Sequence, residues 1–300
     1  MQTFDFTLLT DSRYLDPKPE SEYISNIFEE DRLLTEALNS LGFSVQRTNW
    51  DNQEMDWKTT RFAVFRTTWD YFERFPEFQK WLETTQHNTT FVNPVTTIQW
   101  NLDKHYLTDL HLKGIAIPPT IFIEPGDQRS LTTIAVETGW KECIVKPAVS
   151  GAARHTYRFR PHQTEHLETI YSELIREESM LIQPYLDSIT EKGEVSMVLF
   201  GGMFSHAVLK KAKLGDFRVQ DDFGGTLHPF EPTEEMILLA EKATQCVEPI
   251  PMYARVDLVW DLNDTVCVSE LELVEPELWM RRMPESAMSF ATQLAKLAIK

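Results

Sequence analysis

The chain has 300 residues, a 42% hydrophobic composition and a formal net charge of −17. That is enough chain for two or three compact domains, and it is too apolar for disorder. The acidic balance disfavours non-specific binding to nucleic acid or anionic membrane, and no apolar run reaches the ~20 residues of a spanning helix.

In chain order, Phe4 to Leu9 reads as a strand and Tyr23 to Leu41 as a helix stopped by Gly42. Phe43 to Arg47 and Phe62 to Arg66 are further predicted strands, and Phe75 to Thr84 is a predicted helix. This alternation predicts a small parallel α/β domain ending near Asn93-Pro94. A helix over Asp103 to Lys113 follows, then a strand (Thr120 to Ile123), a helix (Leu131 to Glu137) and a strand (Glu142 to Lys146). After the loop Ser150-Gly151-Ala152-Ala153 come a strand (His155 to Phe159), a helix (Thr164 to Glu178) and a strand (Met180 to Gln183). From Glu194 strands dominate, apart from helices at Thr233 to Cys246 and Pro284 to Ile299. The fold class is therefore α/β in front and α+β behind. A boundary is expected near Val95–Asn101 and a hinge near Gln183–Gly193.

Met1-Gln2-Thr3-Phe4-Asp5 lacks the basic start and apolar stretch of a signal peptide, so a cytoplasmic location is expected. Cys143, Cys246 and Cys267 lie far apart, which predicts packing residues rather than a disulfide framework or a zinc site.

The stretch richest in chemistry is Tyr253 to Trp260, the turn Asp261-Leu262-Asn263-Asp264, and Thr265 to Val274. In strands, alternate residues share a face, so Tyr253, Arg255 and Asp257 oppose Ala254, Val256 and Leu258. With an even-numbered turn, pairing places Asp257 on the face of Glu270 and Glu272, with Leu271 and Leu273 in the core. Three clustered carboxylates repel unless a cation sits among them, and Mg²⁺ takes such oxygen ligands. The same alternation also fits a solvated sheet face of an acidic protein.

A nucleotide phosphate chain needs cations, and Lys104, Lys146, Lys210 and Arg218 are the candidates. Lys146 ends an apolar strand before Pro147 and the small-residue loop, whose backbone N–H groups can approach phosphate oxygens. The spacing of a Walker A loop is absent. Each base read singly also fits an ordinary solvated side chain.

Taken in order, these parts resemble the ATP-grasp superfamily over roughly Asn101 to the C-terminus. The chain looks like the glutathione synthetase and D-alanine–D-alanine ligase group. Glu270 to Pro276 is similar to the metal-binding stretch E-x-N-x-x-x-P of glutathione synthetases, with Glu272 in place of Asn. Tyr253 to Asp257 looks like the Arg-x-Asp strand of D-alanine–D-alanine ligases. A narrower resemblance, to the cyclo-ligase of cycloserine biosynthesis, rests on Phe65 to Tyr71, Trp100 to Leu107 and Asp216 to Gln220.

The resemblance implies an N-terminal α/β substrate-binding domain (1–100), a central lid subdomain (101–187) and a C-terminal antiparallel-sheet catalytic subdomain (188–300). It implies Mg²⁺, or Mn²⁺ as a substitute, held by Asp257, Glu270 and Glu272. ATP would meet Lys104, Lys146, Ser150 and Gly151 at the phosphates, the backbone of the hinge Gln183, Pro184, Tyr185 and Leu186 at the adenine edge, and Glu194 at the ribose. Arg218, Arg255 and Lys210 would stabilise the transferring phosphoryl group. Lys210 is a candidate for the charge missing at Ser196, where relatives often carry Arg. Arg66 and Asp70 would hold the carboxylate and ammonium of an amino-acid-like substrate; a surface turn packed by Trp69 and Tyr71 is the alternative. The implied function is ADP-forming ligation of a carboxylate, or ureido carbonyl, to an amine. Phosphorylation, ring closure, or nucleotide binding without turnover on the same fold are the rivals. Related ligases are often dimers or tetramers, so a homodimer is expected, with no nucleic-acid or membrane partner.

Overall fold

The computed structural model describes residues 3–15, 21–151, 153–213, 215–219 and 224–299. Ala152 and Gln220, which belong to two of the stretches quoted above, lie outside them. Three sheets organise the chain.

The front sheet has the order β2-β1-β3-β4, all parallel, from β1 (Phe4–Thr10), β2 (Val45–Asn49), β3 (Thr60–Thr67) and β4 (Thr90–Val92). Helices α1 (Glu22–Ser40) and α2 (Phe75–Thr85) supply its crossovers. Ser21 caps α1 by accepting from the Ile24 N–H. Strand β2 begins later than predicted. Ser44 and Asp5 exchange hydrogen bonds that close the preceding turn, and Phe43 packs edge-on against Phe6 instead of joining the ladder.

The expected boundary at Val95–Asn101 is a helix, α3 (Val95–Asn101). Asn93 just before it donates to the Tyr253 and Leu273 carbonyls and accepts from the Met252 N–H. Asn101 donates to the Leu271 carbonyl and accepts from the Leu273 N–H. Two asparagines thus tie the connection to the acidic strand pair, satisfying backbone groups that the ladder leaves open. The next helix, α4 (Tyr106–Leu112), starts later than the predicted Asp103.

The middle sheet, order β5-β8-β6-β7, is antiparallel: β5 (Ile121–Ile123), β6 (Cys143–Pro147), β7 (Tyr157–Phe159) and β8 (Met180–Pro184). Helices α5 (Leu131–Thr138) and α6 (Glu165–Glu177) cover one face, with Leu131, Ile134, Leu167, Tyr171 and Ile175 in its core. The expected hinge holds the short helix α7 (Ser188–Glu191).

The back sheet, order β11-β10-β9-β12-β13, is also antiparallel: β9 (Glu194–Phe200), β10 (Met203–Lys211), β11 (Thr226–Pro229), β12 (Tyr253–Trp260) and β13 (Val266–Glu272). Helix α8 (Glu234–Gln245) buries Met236, Ala240 and Ala243 against Val256, Leu258 and Leu271. The last helix, α9 (Glu285–Ile299), joins front to back. Phe290 stacks on Phe200 at 4.9 Å, and the same core holds Phe6, Leu8, Val64 and Tyr253. Cys143 and Cys267 are buried and all three cysteines are free, as expected of packing residues. No described helix is long and apolar enough to cross a membrane.

Candidate active site

The acidic face depends on the register of β12 and β13. Trp260 pairs with Val266, so the connecting turn is Asp261 to Thr265, an odd number of residues rather than the expected even one. On that register Glu270 and Glu272 would face the core. A bulge corrects it: Leu258 pairs with Val268, Asp257 pairs with Glu270, and Ser269 is left over. Its hydroxyl donates to the Asp257 carbonyl at 3.0 Å. Two one-residue offsets cancel, and Asp257, Glu270 and Glu272 share a face with Arg255, which pairs with Glu272.

That face floors a cavity of about 690 Å³. The middle sheet contributes Ile144, Lys146, Gln183 and Pro184, and the front domain contributes Arg13, Tyr14, Tyr23 and Trp69. Carboxylate oxygens of Asp257, Glu270 and Glu272 lie within 4.8 Å of one another. All are hard oxygen donors on adjacent strands, which suits an octahedral Mg²⁺ that keeps part of its shell for water and phosphate.

Cations neutralise this cluster. Lys210 Nζ lies 3.1 Å from Asp257 and contacts Glu194. Arg255 lies 3.0 Å from Asp257 and contacts Glu272. Lys104 Nζ lies 3.1 Å from Glu270 and donates to the Ser150 carbonyl at 2.7 Å. Ser196 donates to Asp257 at 2.6 Å. Burial raises the Asp257 pKa, but Arg255, Lys210 and the Ser196 hydroxyl outweigh it and hold the carboxyl at about 2. Glu272 is pushed up to about 7, chiefly by burial and then by Glu270 and Asp257, against the pull of Arg255. Glu275 is pushed up to about 8 by burial and by Glu272. Burial lowers Lys146, while Glu270 pulls it back up.

Of the residues singled out in sequence, Lys104, Lys146, Ser150, Gly151, Gln183, Pro184, Leu186, Glu194, Lys210, Arg218, Arg255, Asp257, Glu270 and Glu272 all line this cavity. Arg218 does so while forked onto Asp216 at 2.7 and 3.0 Å. A Cβ on Gly151 would sit 2.7 Å from the Phe72 ring, so the loop's small residue lets it pass close to the front domain.

Three expected residues are not brought in. Tyr185 is not among the lining residues: its ring lies under the Arg158 guanidinium at 3.5 Å, and its backbone N–H already donates to the Glu142 carbonyl. Arg66 is 2% exposed, faces Asp31 of α1 at 3.6 Å, and donates to the Pro276 carbonyl at 3.5 Å. Asp70 accepts from the Trp50 indole at 2.7 Å and from Arg74 at 3.0 Å. The Arg66/Asp70 pair therefore supports the front domain instead of facing the cleft. Residues the sequence reading missed are Arg13, Tyr14, Tyr23, Glu275, Glu277 and Trp279. Of these, Glu275 lay inside the quoted acidic stretch.

Comparison with known proteins agrees with this fold. The family D-cycloserine synthetase DcsG, N-terminal domain, matches residues 6–93. The cycloserine biosynthesis protein DcsG of Streptomyces lavendulae is 29% identical over 274 residues, covering 88% of this chain and 92% of that one. The crystal structure of D-cycloserine synthetase DcsG superposes with a TM-score of 0.85 at 27% identity, over 97% of this chain and 98% of that one. The chain has the ATP-grasp fold. D-Alanine–D-alanine ligase from Bacillus anthracis shares the ATP-grasp fold, with a TM-score of 0.67 at 15% identity over 98% of this chain and 97% of that one. In this fold the acidic pair β12–β13 and the lysine-bearing strand β6 both line the cleft.

Proposed function

We propose that this ATP-grasp protein is an ADP-forming ligase that phosphorylates the carboxylate, or ureido carbonyl, of a small amino-acid-like substrate and passes it to an amine. The observation that carries the reading is the meeting of Asp257, Glu270 and Glu272 with Lys104, Lys146, Lys210 and Arg255 in one cleft. These three acids and the four bases beside them are matched to a charged polyphosphate and a divalent ion, and a solvated sheet face has no use for them.

The fold neighbours support ATP and Mg²⁺ as the partners: the D-alanine–D-alanine ligase has been crystallised with ATP, and the ATP-grasp ligase PsnB with Mg and ADP. Mg²⁺, or Mn²⁺ in its place, would supply charge neutralisation at the β- and γ-phosphate oxygens. Asp257, Glu270 and Glu272 would hold it. Lys104 and Lys146 bind phosphate oxygens beside the Ser150-Gly151 loop. Gln183, Pro184 and Leu186 line the base end, and Glu194 meets the ribose. Arg255 and Arg218 present guanidinium forks to the transferring phosphoryl group, with Lys210 between Glu194 and Asp257 in the place of an arginine at Ser196. The substrate sits at the front-domain end, between Arg13, Tyr14, Tyr23 and Trp69. The middle-sheet unit, 101–187, closes over the nucleotide and keeps water from the acyl phosphate. The relative named for D-cycloserine synthesis favours intramolecular attack, giving a cyclic amide.

The test is phosphate release from Mg-ATP with pooled amino acids, dipeptides and ureido acids, comparing wild type with Asp257→Asn. Substrate-dependent release that falls at least ~100-fold in the variant is expected. Release that the substitution leaves unchanged removes the metal assignment, and ADP formation without consumption of an amine points to a kinase.

A further inference from the structure

Trp279 lines the cavity, yet it is 2% exposed, and its backbone lies in the left-handed region at φ 48°, ψ 35°. A tryptophan holds that conformation only where its surroundings impose it. Here both flanking peptide groups are fixed from elsewhere. The His206 Nε2 of β10 donates to the Leu278 carbonyl at 2.7 Å. Glu30 of α1 accepts from the Met280 and Arg281 N–H groups at 2.9 and 2.8 Å, and Arg281 returns to Glu30 at 3.2 Å. This clamp sets the ring, not its polar tip: the buried indole Nε1 has no hydrogen-bond partner among the described residues.

The ring face lies 5.2 Å from the Arg255 guanidinium carbon and 5.9 Å from Lys210 Nζ. The carboxylates that hold these two cations are Asp257, Glu272 and Glu194, and two of those are candidate metal ligands. A metal would draw Asp257 and Glu272 away from them. The π face does not compete for metal, so it stays as their partner.

We propose that Trp279 is a positioning residue of the nucleotide site, whose clamped ring keeps Arg255 and Lys210 together beneath the phosphates while the metal takes Asp257 and Glu272. This rests on the ligase reading above. The test compares Trp279→Phe, which keeps a π face, with Trp279→Leu, which does not, by calorimetric affinity for Mg²⁺ with a non-hydrolysable ATP analogue. The leucine variant loses about tenfold and the phenylalanine variant less than about threefold. Their melting temperatures fall together, because each removes apolar volume from the same place. Equal losses of affinity in the two variants, or no loss in either, overturn the proposal. Should the leucine variant not fold, Trp279→Met, a flexible filler without a ring, takes its place under the same expectation. Wild-type protein that binds no Mg-nucleotide overturns the ligase reading and this proposal together; binding without discrimination between the variants overturns this proposal alone.

Discussion

Lys210 gives the sharpest energetic test of the site. It is 5% exposed, sits 3.1 Å from Asp257 and also contacts Glu194. At that distance and an effective dielectric of about 20, the Asp257 attraction alone is about 5 kcal/mol before desolvation is subtracted. Lys210→Met removes the cation and leaves Glu194 buried without it. Breaking a buried pair in this way costs about 3–5 kcal/mol. Arg255 remains on Asp257, so the lower end, about 3 kcal/mol, is expected. For a chain of this length that is a fall in melting temperature of about 5 °C. The exposed neighbour Lys211 is the control, and Lys211→Met should stay within about 0.5 kcal/mol. The double variant Lys210→Met/Glu194→Gln should recover about 1–2 kcal/mol, because it removes the stranded charge. Thermal melts and urea titrations of the four proteins read this directly. A Lys210→Met protein as stable as the Lys211→Met control, or a double variant no more stable than Lys210→Met, refutes the buried triad.

Glu272 and Glu275, held at about 7 and about 8, keep protons in the folded state that the unfolded chain releases near its ordinary carboxyl range. Stability should therefore fall as pH rises from about 5 to about 8.5, and Glu275→Gln should flatten that limb. Asp257, held at about 2, adds stability above its unfolded pKa that is lost as pH falls through about 2, so melting temperature should peak near pH 5. A profile flat from pH 5 to 8.5 contradicts the burial of these acids. Gly193 precedes Glu194 with φ +100°, and a Cβ there would meet the Lys210 carbonyl oxygen at 2.5 Å. Gly193→Ala should cost at least about 2 kcal/mol in a urea melt; a smaller loss means that strands β9 and β10 separate easily at this end.

Periodicity carried most elements. Phe75 to Thr84 and Thr233 to Cys246 each bury one apolar stripe, and both form helices within a residue or so of their expected ends. It missed α3, because the residues that fix that helix are polar: Asn93 and Asn101 bond to strand backbones far along the chain. No local pattern reports such a partner. The strand ends show the same limit. Glu272 ends β13 because Asn101 and Asn93 take the Leu273 backbone groups that another ladder pair would have used.

The acidic face shows how a correct conclusion can rest on a pattern that does not exist. Parity across the turn is a reliable guide only when no bulge intervenes, and here an odd turn and a bulge at Ser269 offset each other. Without the bulge Ser269 would pair with Asp257, and Glu270 and Glu272 would turn toward the core, so the cluster depends on that one irregularity. Arg66 and Asp70 failed for the opposite reason. Their charges suited a zwitterionic substrate, but each already has a protein partner in Asp31, Trp50 or Arg74, supplied by separate stretches of chain. A charged residue marks a ligand site only after its internal partners are counted. By that count Arg13, forked onto Asp11 at 2.8 and 3.1 Å, is engaged as Asp70 is, and the front wall of the cleft is carried by the aromatics Tyr14, Tyr23 and Trp69, whose composition reads in sequence as ordinary loop and helix.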